Sequence, residues 1–424
     1  MEENQIKQKT NKDPKQNIIK FIIMLITVFT LEQFIRNPLR KLSTSFQLAF
    51  NFQKANLCST FSFLSFIEND LFIYILILVL NFANTYAALT ILFLKSFVYY
   101  LNGILKLFYL DSRPFWVEEQ LVPCVCSGNY GNPSTSAYCQ FLIYFAVYRA
   151  FSTTCKINKL LLKILCIFPA FLVVAGRILQ NIHSFNQILF GFALGYLTYF
   201  FVFEVLHCNF NKEKQFKWIV KNIFTIIMFS LFLIVFAFVF HLCMDLTVNN
   251  NWLDTITKYC NYKEYFFFDN ESYVKTCKLF LFLGGLCGCY IECAFSYKNK
   301  VDVYARHNVD SSMKFNNTKL WITLWRVVLM SVVFVMLRHL FVFSIFARVN
   351  DKSFALFLLF RNILPLFLDG VSVFSFLKFT VTLASLTNEN YPKFVSEKKD
   401  FPHTKSFNSL ILMSFENNVH ENLI

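Results

Sequence analysis

Long apolar runs separated by short polar segments make up most of the chain after its first 70 residues. A helix needs about 20 mostly apolar residues to cross the hydrocarbon core of a bilayer. We predict nine membrane spans from runs of this kind, at 71–89, 90–109, 135–152, 159–177, 185–206, 219–243, 277–296, 320–346 and 354–383. The first two runs adjoin, so a tight turn is required near 84–85 or 88–90.

The N-terminal part of the chain contains one further apolar run, at 18–36. Lys20 and Glu32 interrupt this run, so it predicts an interfacial helix or a weak span, and the side of the membrane that 37–70 occupies stays open. It has no small-residue cleavage site of the kind that ends a signal peptide. The pattern divides the chain into an N-terminal region at 1–69, a membrane core at 70–206, additional transmembrane helices at 207–385 and a polar tail at 386–424.

Composition supports a membrane protein built from helices. Hydrophobic residues make up 56% of the chain and charged residues 16%, whereas soluble domains carry about 25% charged residues. Only 10 Gly and 9 Pro are present, so long stretches are free to be helical and many short strands with Gly-rich turns are not expected. The composition also excludes disordered and collagen-like chains. We therefore predict an all-α fold, a polytopic bundle of membrane helices.

Membrane topology explains most of the net charge of +14. Cytoplasmic loops accumulate Lys and Arg, and the basic residues here lie mostly between apolar runs, so we assign no nucleic-acid partner. The segments poor in Lys and Arg are predicted to be lumenal or extracellular, and these are 110–134, 178–184, 244–276 and 347–353. The tail is then cytoplasmic, and the membrane is that of the endoplasmic reticulum, another endomembrane or the cell surface. One segment, 36–54, does not fit, because strict alternation places its four cations on the lumenal side.

Two features agree with this topology. Asn270 begins a glycosylation acceptor triplet in the predicted lumenal loop 244–276. Four cysteines fall on the same side, where disulfides persist, and these are Cys124, Cys126, Cys260 and Cys277. Asn316 begins a second acceptor triplet in a predicted cytoplasmic loop, so glycosylation of Asn316 would contradict the assignment. The 13 cysteines show no zinc-binding spacing, and we expect no metal and no cofactor.

The first of three polar motifs lies at 106–114. Lys106 and Arg113 are seven residues apart, so a continuous helix would place both on one face, and Pro114 would end that helix. An Arg fork and a Lys point charge on one face suit a phosphate group. The alternative is a pair of cations that snorkel above an aromatic belt formed by Phe115 and Trp116.

The second motif lies at 130–138. Asn132 is suited to cap a helix whose first residue is Pro133. The amides around 134–136 would then point out of the helix N-terminus and, with the Ser134 hydroxyl, form an anion site. An ordinary helix start is the alternative interpretation.

The third motif lies at 176–195, where Arg177 ends one span and His183 precedes the next. His183 and Gln187 are one helical turn apart, so the Gln187 side-chain oxygen is placed to accept from one imidazole nitrogen and leave the other as a nucleophile. The competing interpretation is local, because Ser184 and Gln187 also fit a capping box.

Together these motifs resemble the type-2 phosphatidate phosphatase/vanadium haloperoxidase superfamily. Its signature is K-x6-R-P, then P-S-G-H, then S-R-x5-H-x3-D. The chain matches this signature over roughly 70–206 at Lys106, Arg113, Pro114, Pro133, Ser134, Arg177 and His183. It departs from the signature at Thr135, Ser136, Gly176 and Gln187. The departure at Gln187 is mild, since glucose-6-phosphatases also carry Gln there.

The resemblance implies a fold and a set of residue roles. The fold is a six-helix phosphatase-like core followed by about three C-terminal spans, which is similar to the nine-span layout of glucose-6-phosphatases. Lys106, Arg113 and Arg177 would hold the phosphate oxygens, and Ser134 would add a hydrogen bond. His183 would attack phosphorus to form a phosphohistidine. Gln187 would orient His183.

Ser136 is the serious departure, because the superfamily has there the His that protonates the leaving alcohol. Losing a general acid typically costs about 10²–10⁴ in rate. Three hypotheses therefore stand. The first is a membrane phosphatase for lipid phosphates or small phosphate esters, and the second is a catalytically impaired relative that binds phosphorylated lipids or partners. The third is an unrelated transporter or channel.

Overall fold

A computed structural model of the chain describes residues 14–50, 73–77, 80, 85–154, 158–206, 219, 222–244, 250–260, 273–298, 328, 332 and 358–376. Every regular element within these ranges is helical, so the predicted all-α fold is confirmed. In chain order the helices are α1 (Pro14–Phe50), α2 (Thr85–Tyr109), α3 (Pro114–Val117), α4 (Thr135–Thr154), α5 (Lys159–Leu179), α6 (Phe185–Phe200), α7 (Ile223–Cys243), α8 (Asn250–Cys260), α9 (Leu279–Lys298) and α10 (Leu364–Val371). Wider π-helical turns extend α6 over Phe201–Val205 and flank α10 at Leu358–Ile363 and Ser372–Phe376.

Six of the described helical stretches are long and apolar enough to cross a membrane, which indicates an integral membrane protein. They are Lys15–Phe50, Tyr86–Val117, Lys159–Leu179, Phe185–Val205, Ile223–Cys243 and Tyr273–Ile291. The nine-span layout is not confirmed. The predicted span 320–346 lies almost wholly outside the described residues, and within 354–383 the described apolar helix, Leu364–Phe374, is short.

Helix α4 lies at the centre of the bundle and packs against α2, α5 and α6. Helix α9 packs against α2 and α10, so the C-terminal helices extend the same core. Close approach between α4 and α6 requires a glycine, because a Cβ atom at Gly191 would lie 2.8 Å from the backbone oxygen of Ser134. This contact places the start of α4 directly against the first turns of α6.

The predicted weak span at 18–36 is part of the 37-residue helix α1. Most of its apolar side chains are exposed, as expected for a surface that faces lipid, but Glu32 is buried. Arg36 binds both Glu32 carboxylate oxygens, at 2.7 and 2.6 Å. Arg36, one turn away, therefore neutralises the charge of Glu32 that interrupts the apolar run. Helix α1 continues past Glu32 and packs against α6.

A disulfide bond between Cys126 and Cys260 joins the segment after α3 to α8. Helix α8 lies on α3, where the rings of Trp252 and Trp116 are 6.0 Å apart. Cys124 is also disulfide-bonded, whereas Cys277 is a free and buried thiol. The bond agrees with the predicted placement of 110–134 and 244–276 on one side of the membrane. The proposed glycosylation site at Asn270 lies outside the described residues, as does Asn316.

Candidate active site

The first motif does not lie on one continuous helix, so the predicted shared helical face of Lys106 and Arg113 is wrong. Helix α2 ends at Tyr109, and the next residue, Leu110, has a φ of 45°. This left-handed conformation is unfavourable for a branched residue and turns the chain away from the helix axis. Pro114 does not end α2 but begins α3, where its fixed φ and missing N–H are tolerated.

Lys106 and Arg113 nevertheless converge, and both are buried. The Lys106 ammonium donates to the backbone oxygen of Tyr130. Arg113 donates from Nε to the Asn129 backbone oxygen and from Nη2 to Asn129 Oδ1, at 2.7 Å each. Its Nη1 atom lies 3.2 Å from Nε2 of His183. The snorkelling interpretation is therefore wrong for this pair, because neither cation reaches the surface.

The second motif begins a helix two residues later than predicted, since α4 starts at Thr135. Asn132 does not cap this helix, because its amide donates instead to Glu32 Oε1 at 2.8 Å. Ser134 takes the capping position and accepts from the Ala137 N–H at 3.4 Å. The Ser134 N–H donates to the backbone oxygen of Gln187 at 3.0 Å. The second and third motifs are thus directly bonded to each other.

A lysine from outside the predicted core also reaches the second motif. Lys275 Nζ donates to Thr135 Oγ1 at 3.2 Å, and the Thr135 hydroxyl donates to Asn102 Oδ1 at 2.7 Å. Ser136, the next residue, is buried. The sequence motifs missed Lys275, although its position near the end of the predicted lumenal loop 244–276 was a signal that it lies on the same side as the site.

In the third motif, the Gln187 side chain makes both of the contacts that the sequence offered as alternatives. Gln187 Oε1 lies 3.0 Å from Nδ1 of His183 and also accepts from the Ser184 N–H at 3.3 Å. Gln187 Nε2 donates to Asp111 Oδ2 at 3.2 Å and to the Ser112 backbone oxygen at 2.8 Å. Because these two acceptors fix the orientation of the amide, its oxygen must face His183. Nδ1 of His183 therefore carries the hydrogen, and the Nε2 lone pair accepts from Nη1 of Arg113.

Burial lowers the pKa of His183 well below its ordinary value, and the positive charges of Arg113, Lys106 and Arg177 lower it further. The imidazole is therefore neutral near pH 7. Arg177 is partly buried and donates from Nη1 to Gln180 Oε1 at 3.3 Å. Its backbone oxygen accepts from the His183 N–H at 3.3 Å. The three cations named from the sequence thus act on one ring.

The lowered pKa of His183 predicts a pH dependence of stability. Between the folded pKa and the ordinary value near 6.5, the unfolded chain binds a proton that the folded chain excludes. The free energy of unfolding should therefore fall as pH drops below 6.5, by at most about 1.4 kcal/mol per pH unit from this group. We expect the melting temperature in detergent to fall more between pH 7 and pH 5 in the wild-type protein than in His183→Gln. Equal falls in the two proteins would contradict the burial of a neutral His183.

The three motifs fall within a single match to a known protein family. Residues 86–211 match the model of the PAP2 superfamily. This agrees, at the level of the superfamily, with the resemblance carried by the motifs at 106–114, 133–136 and 176–187. Comparisons with curated proteins and with solved structures give no match. Helix α1 and Lys275, which both contact the site, lie outside the matched residues.

Proposed function

We propose that the protein is an integral-membrane phosphatase that hydrolyses phosphate monoesters, with lipid phosphates as the substrate class, through a phosphohistidine at His183. The observation that carries the proposal is the environment of this ring. Its Nδ1 atom is held by Gln187, its Nε2 atom faces Arg113, and its pKa is lowered so that the ring is neutral. The PAP2 superfamily match supports a phosphatase-type activity.

In this mechanism the phosphate replaces the contact between Nη1 of Arg113 and Nε2 of His183 and binds beside both groups. Lys106, Arg113 and Arg177 neutralise the phosphate oxygens, and Ser134 adds a hydrogen bond from its hydroxyl group. Nε2 of His183 forms a bond to phosphorus while the bond to the alcohol oxygen breaks, and the alkoxide takes a proton from water and leaves as the alcohol. Water then attacks phosphorus, which releases inorganic phosphate and regenerates the imidazole. Phosphoryl transfer depends mainly on positioning and on charge neutralisation, and three converging cations serve both needs.

The alternative is a catalytically impaired relative that binds phosphorylated lipids or partners. Ser136 favours this alternative, because it stands at the position of the general acid and a hydroxyl cannot protonate a leaving alkoxide near pH 7. The third hypothesis, an unrelated transporter or channel, loses support because the first and third motifs meet at one imidazole and the second motif is bonded to Gln187. In either of the first two cases the ligand is a phosphate ester.

We propose that the site opens to the lumenal or extracellular side and that the C-terminal tail is cytoplasmic. The Cys126–Cys260 bond supports this orientation, because disulfides persist in oxidising compartments and this one joins the two segments predicted to be lumenal.

The test of the proposed function is phosphate release by the purified protein from phosphatidate, lysophosphatidate, sphingoid-base phosphate and glucose 6-phosphate. Turnover of at least one ester that is lost in His183→Ala supports the phosphatase. Binding of an ester without turnover, lost in Arg113→Met, supports the impaired relative. Transport activity without turnover or binding of an ester would support the third hypothesis, an unrelated transporter or channel.

Ser136→His is expected to increase turnover. The imidazole would supply the missing general acid at the first turn of α4, and general acids contribute about 10²–10⁴ in rate. We expect the largest gain for alkyl phosphates and little gain for an aryl phosphate, whose leaving group needs no proton. A folded Ser136→His protein with unchanged rates for both classes would show that the missing acid does not limit turnover.

A further inference from the structure

A buried carboxylate that the proposed mechanism does not use lies behind Gln187. Asp111 Oδ2 accepts from Gln187 Nε2 at 3.2 Å, and Asp111 Oδ1 pairs with Arg40 Nη1 at 3.1 Å. The second guanidinium nitrogen of Arg40 donates to the Ser112 hydroxyl. Both oxygens of Asp111 therefore accept hydrogen bonds, which is the pattern of an ionised carboxylate. A continuous chain of contacts runs from His183 through Gln187 and Asp111 to Arg40.

Helix α1 holds the other side of the nucleophile. Gln47, two turns after Arg40, donates from Nε2 to the backbone oxygens of Ile178 at 2.9 Å and of His183 at 3.2 Å. Ser43 accepts from the backbone N–H of Phe185 at 3.2 Å. One polar face of α1 thus binds the loop that carries His183 at both of its ends.

Gln187 has no room to turn away from Asp111. A Cβ atom at Gly131 would lie 2.2 Å from Gln187 Nε2, so the backbone of Gly131 lies directly against the amide. The Gly131 N–H in turn donates to the backbone oxygen of Asp111 at 2.8 Å. The amide is therefore enclosed between His183 on one side and Asp111 with Ser112 on the other.

We propose that Asp111, held by Arg40 of α1, is the positioning carboxylate of His183 and acts through the Gln187 amide. The inference rests on the proposed function, because its purpose is to stabilise a charged ring. A phosphorylated imidazole that keeps its Nδ1 hydrogen is positively charged, and a neutral amide alone orients it without balancing that charge. Asp111 supplies the negative charge one hydrogen bond further away, in a buried position where solvent screens it little. Gln187 stands where the superfamily signature has Asp, and Asp111 restores the missing charge from another part of the chain.

The test is an exchange of the acid and the amide between the two positions. Asp111→Asn keeps the size of the side chain but removes the charge, so we expect kcat to fall about 10- to 100-fold, the range found for outer groups that orient a metal-bound His. Gln187→Glu places two carboxylates against each other and removes the donor to Ser112, so we expect a fall of about 10²–10⁴. The double variant restores one acid and one amide with the same net charge. We expect it to recover at least about tenfold over Gln187→Glu, since interacting residues are not additive.

If Asp111 had only a structural role, the double variant would not recover, because the losses of kcat from the two substitutions would then add. The matched control is Glu204→Gln, which also converts an ion-paired acid to its amide but lies with Arg149 at the opposite end of α4. Glu204→Gln is expected to leave phosphate release unchanged. Additive losses in the double variant, or a wild-type kcat in Asp111→Asn, would overturn the inference about Asp111. Turnover that depends on His183 would still support the proposed function in that case.

The same series is titrated with orthovanadate, an analogue of the transferring phosphoryl group that binds an imidazole nitrogen, with the melting temperature as readout. This measurement needs no turnover, so it tests the inference in an impaired relative as well. We expect vanadate affinity to fall in each single variant and to recover in the double variant. Affinity that depends on His183 but not on Asp111 overturns the inference alone, whereas no His183-dependent turnover or vanadate binding overturns the proposed function and the inference together.

Discussion

His183→Ala is expected to reduce phosphate release by about 10⁴-fold or more, to the level of the uncatalysed reaction, because it removes the atom that attacks phosphorus. The structure gives this prediction a specific form. Nε2 is the ring nitrogen that has the lone pair, since Nδ1 carries the hydrogen that it donates to Gln187 Oε1 at 3.0 Å. The ester should still bind to His183→Ala, because Lys106, Arg113 and Arg177 remain. The measurement is kcat with the best ester from the panel, together with the affinity of the variant for that ester.

His241→Ala is the matched control for this change. His241 lies in α7 and stacks on the ring of Tyr273 at 4.9 Å, away from the bonds that hold His183. The control should keep its activity if the loss at position 183 is chemical. Full phosphate release by a folded His183→Ala protein would show that the proposed nucleophile is wrong.

Arg113→Met is expected to lower kcat/KM by about 10³-fold or more, since an arginine that neutralises a transferring phosphoryl group contributes about 10³–10⁵. Arg113 is anchored through Nε and Nη2 to Asn129, which leaves Nη1 beside Nε2 of His183. Arg113→Lys should rescue little, because an ammonium cannot bind both oxygens of Asn129 and still reach the phosphate. Steady-state kinetics of both variants give the size of the loss and of the rescue.

Arg149→Met is the control for Arg113→Met. Arg149 is a partly buried arginine near the other end of α4 that pairs with Glu204 at 3.3 Å. We expect its activity to stay within about threefold of wild type, because an ion pair of this exposure contributes little to stability. A large loss in Arg149→Met and none in Arg113→Met would place the phosphate at the opposite end of the bundle.

The apolar runs predicted most of the described helices because membrane helices are set by length and hydropathy, which are local properties. The start of α2 at Thr85 agrees with one of the two turns expected, and α5 ends within two residues of its predicted span. The end of α2 was not predictable in this way. Whether Pro114 ends a helix or begins the next one depends on Leu110, whose positive φ no residue pattern signals.

The three motifs predicted which residues meet at the site but not how they are held. The fixed spacing between Arg177 and His183 was enough to predict that the two residues lie close together, because only a short loop joins the two helices there. The contacts of Arg40 with Asp111 and of Glu32 with Asn132 join residues far apart in sequence, and charge alone could not pair them. These contacts also bear on the cations at 36–54 that did not fit the predicted topology. Arg36 and Arg40 lie beside buried carboxylates, so their position need not follow the rule for loop charges.

The central claim is a covalent phosphohistidine at His183, and trapping that intermediate tests it most directly. The wild-type protein is mixed with a phosphate ester labelled at phosphorus, quenched in alkali, which preserves phosphohistidine, and digested for mass spectrometry. The account predicts label on the peptide that contains His183, absent from His183→Ala and present in Ser136→His, where its turnover should be faster. Phosphate release by the wild-type protein with no label on His183, or with label on another residue, would contradict the account.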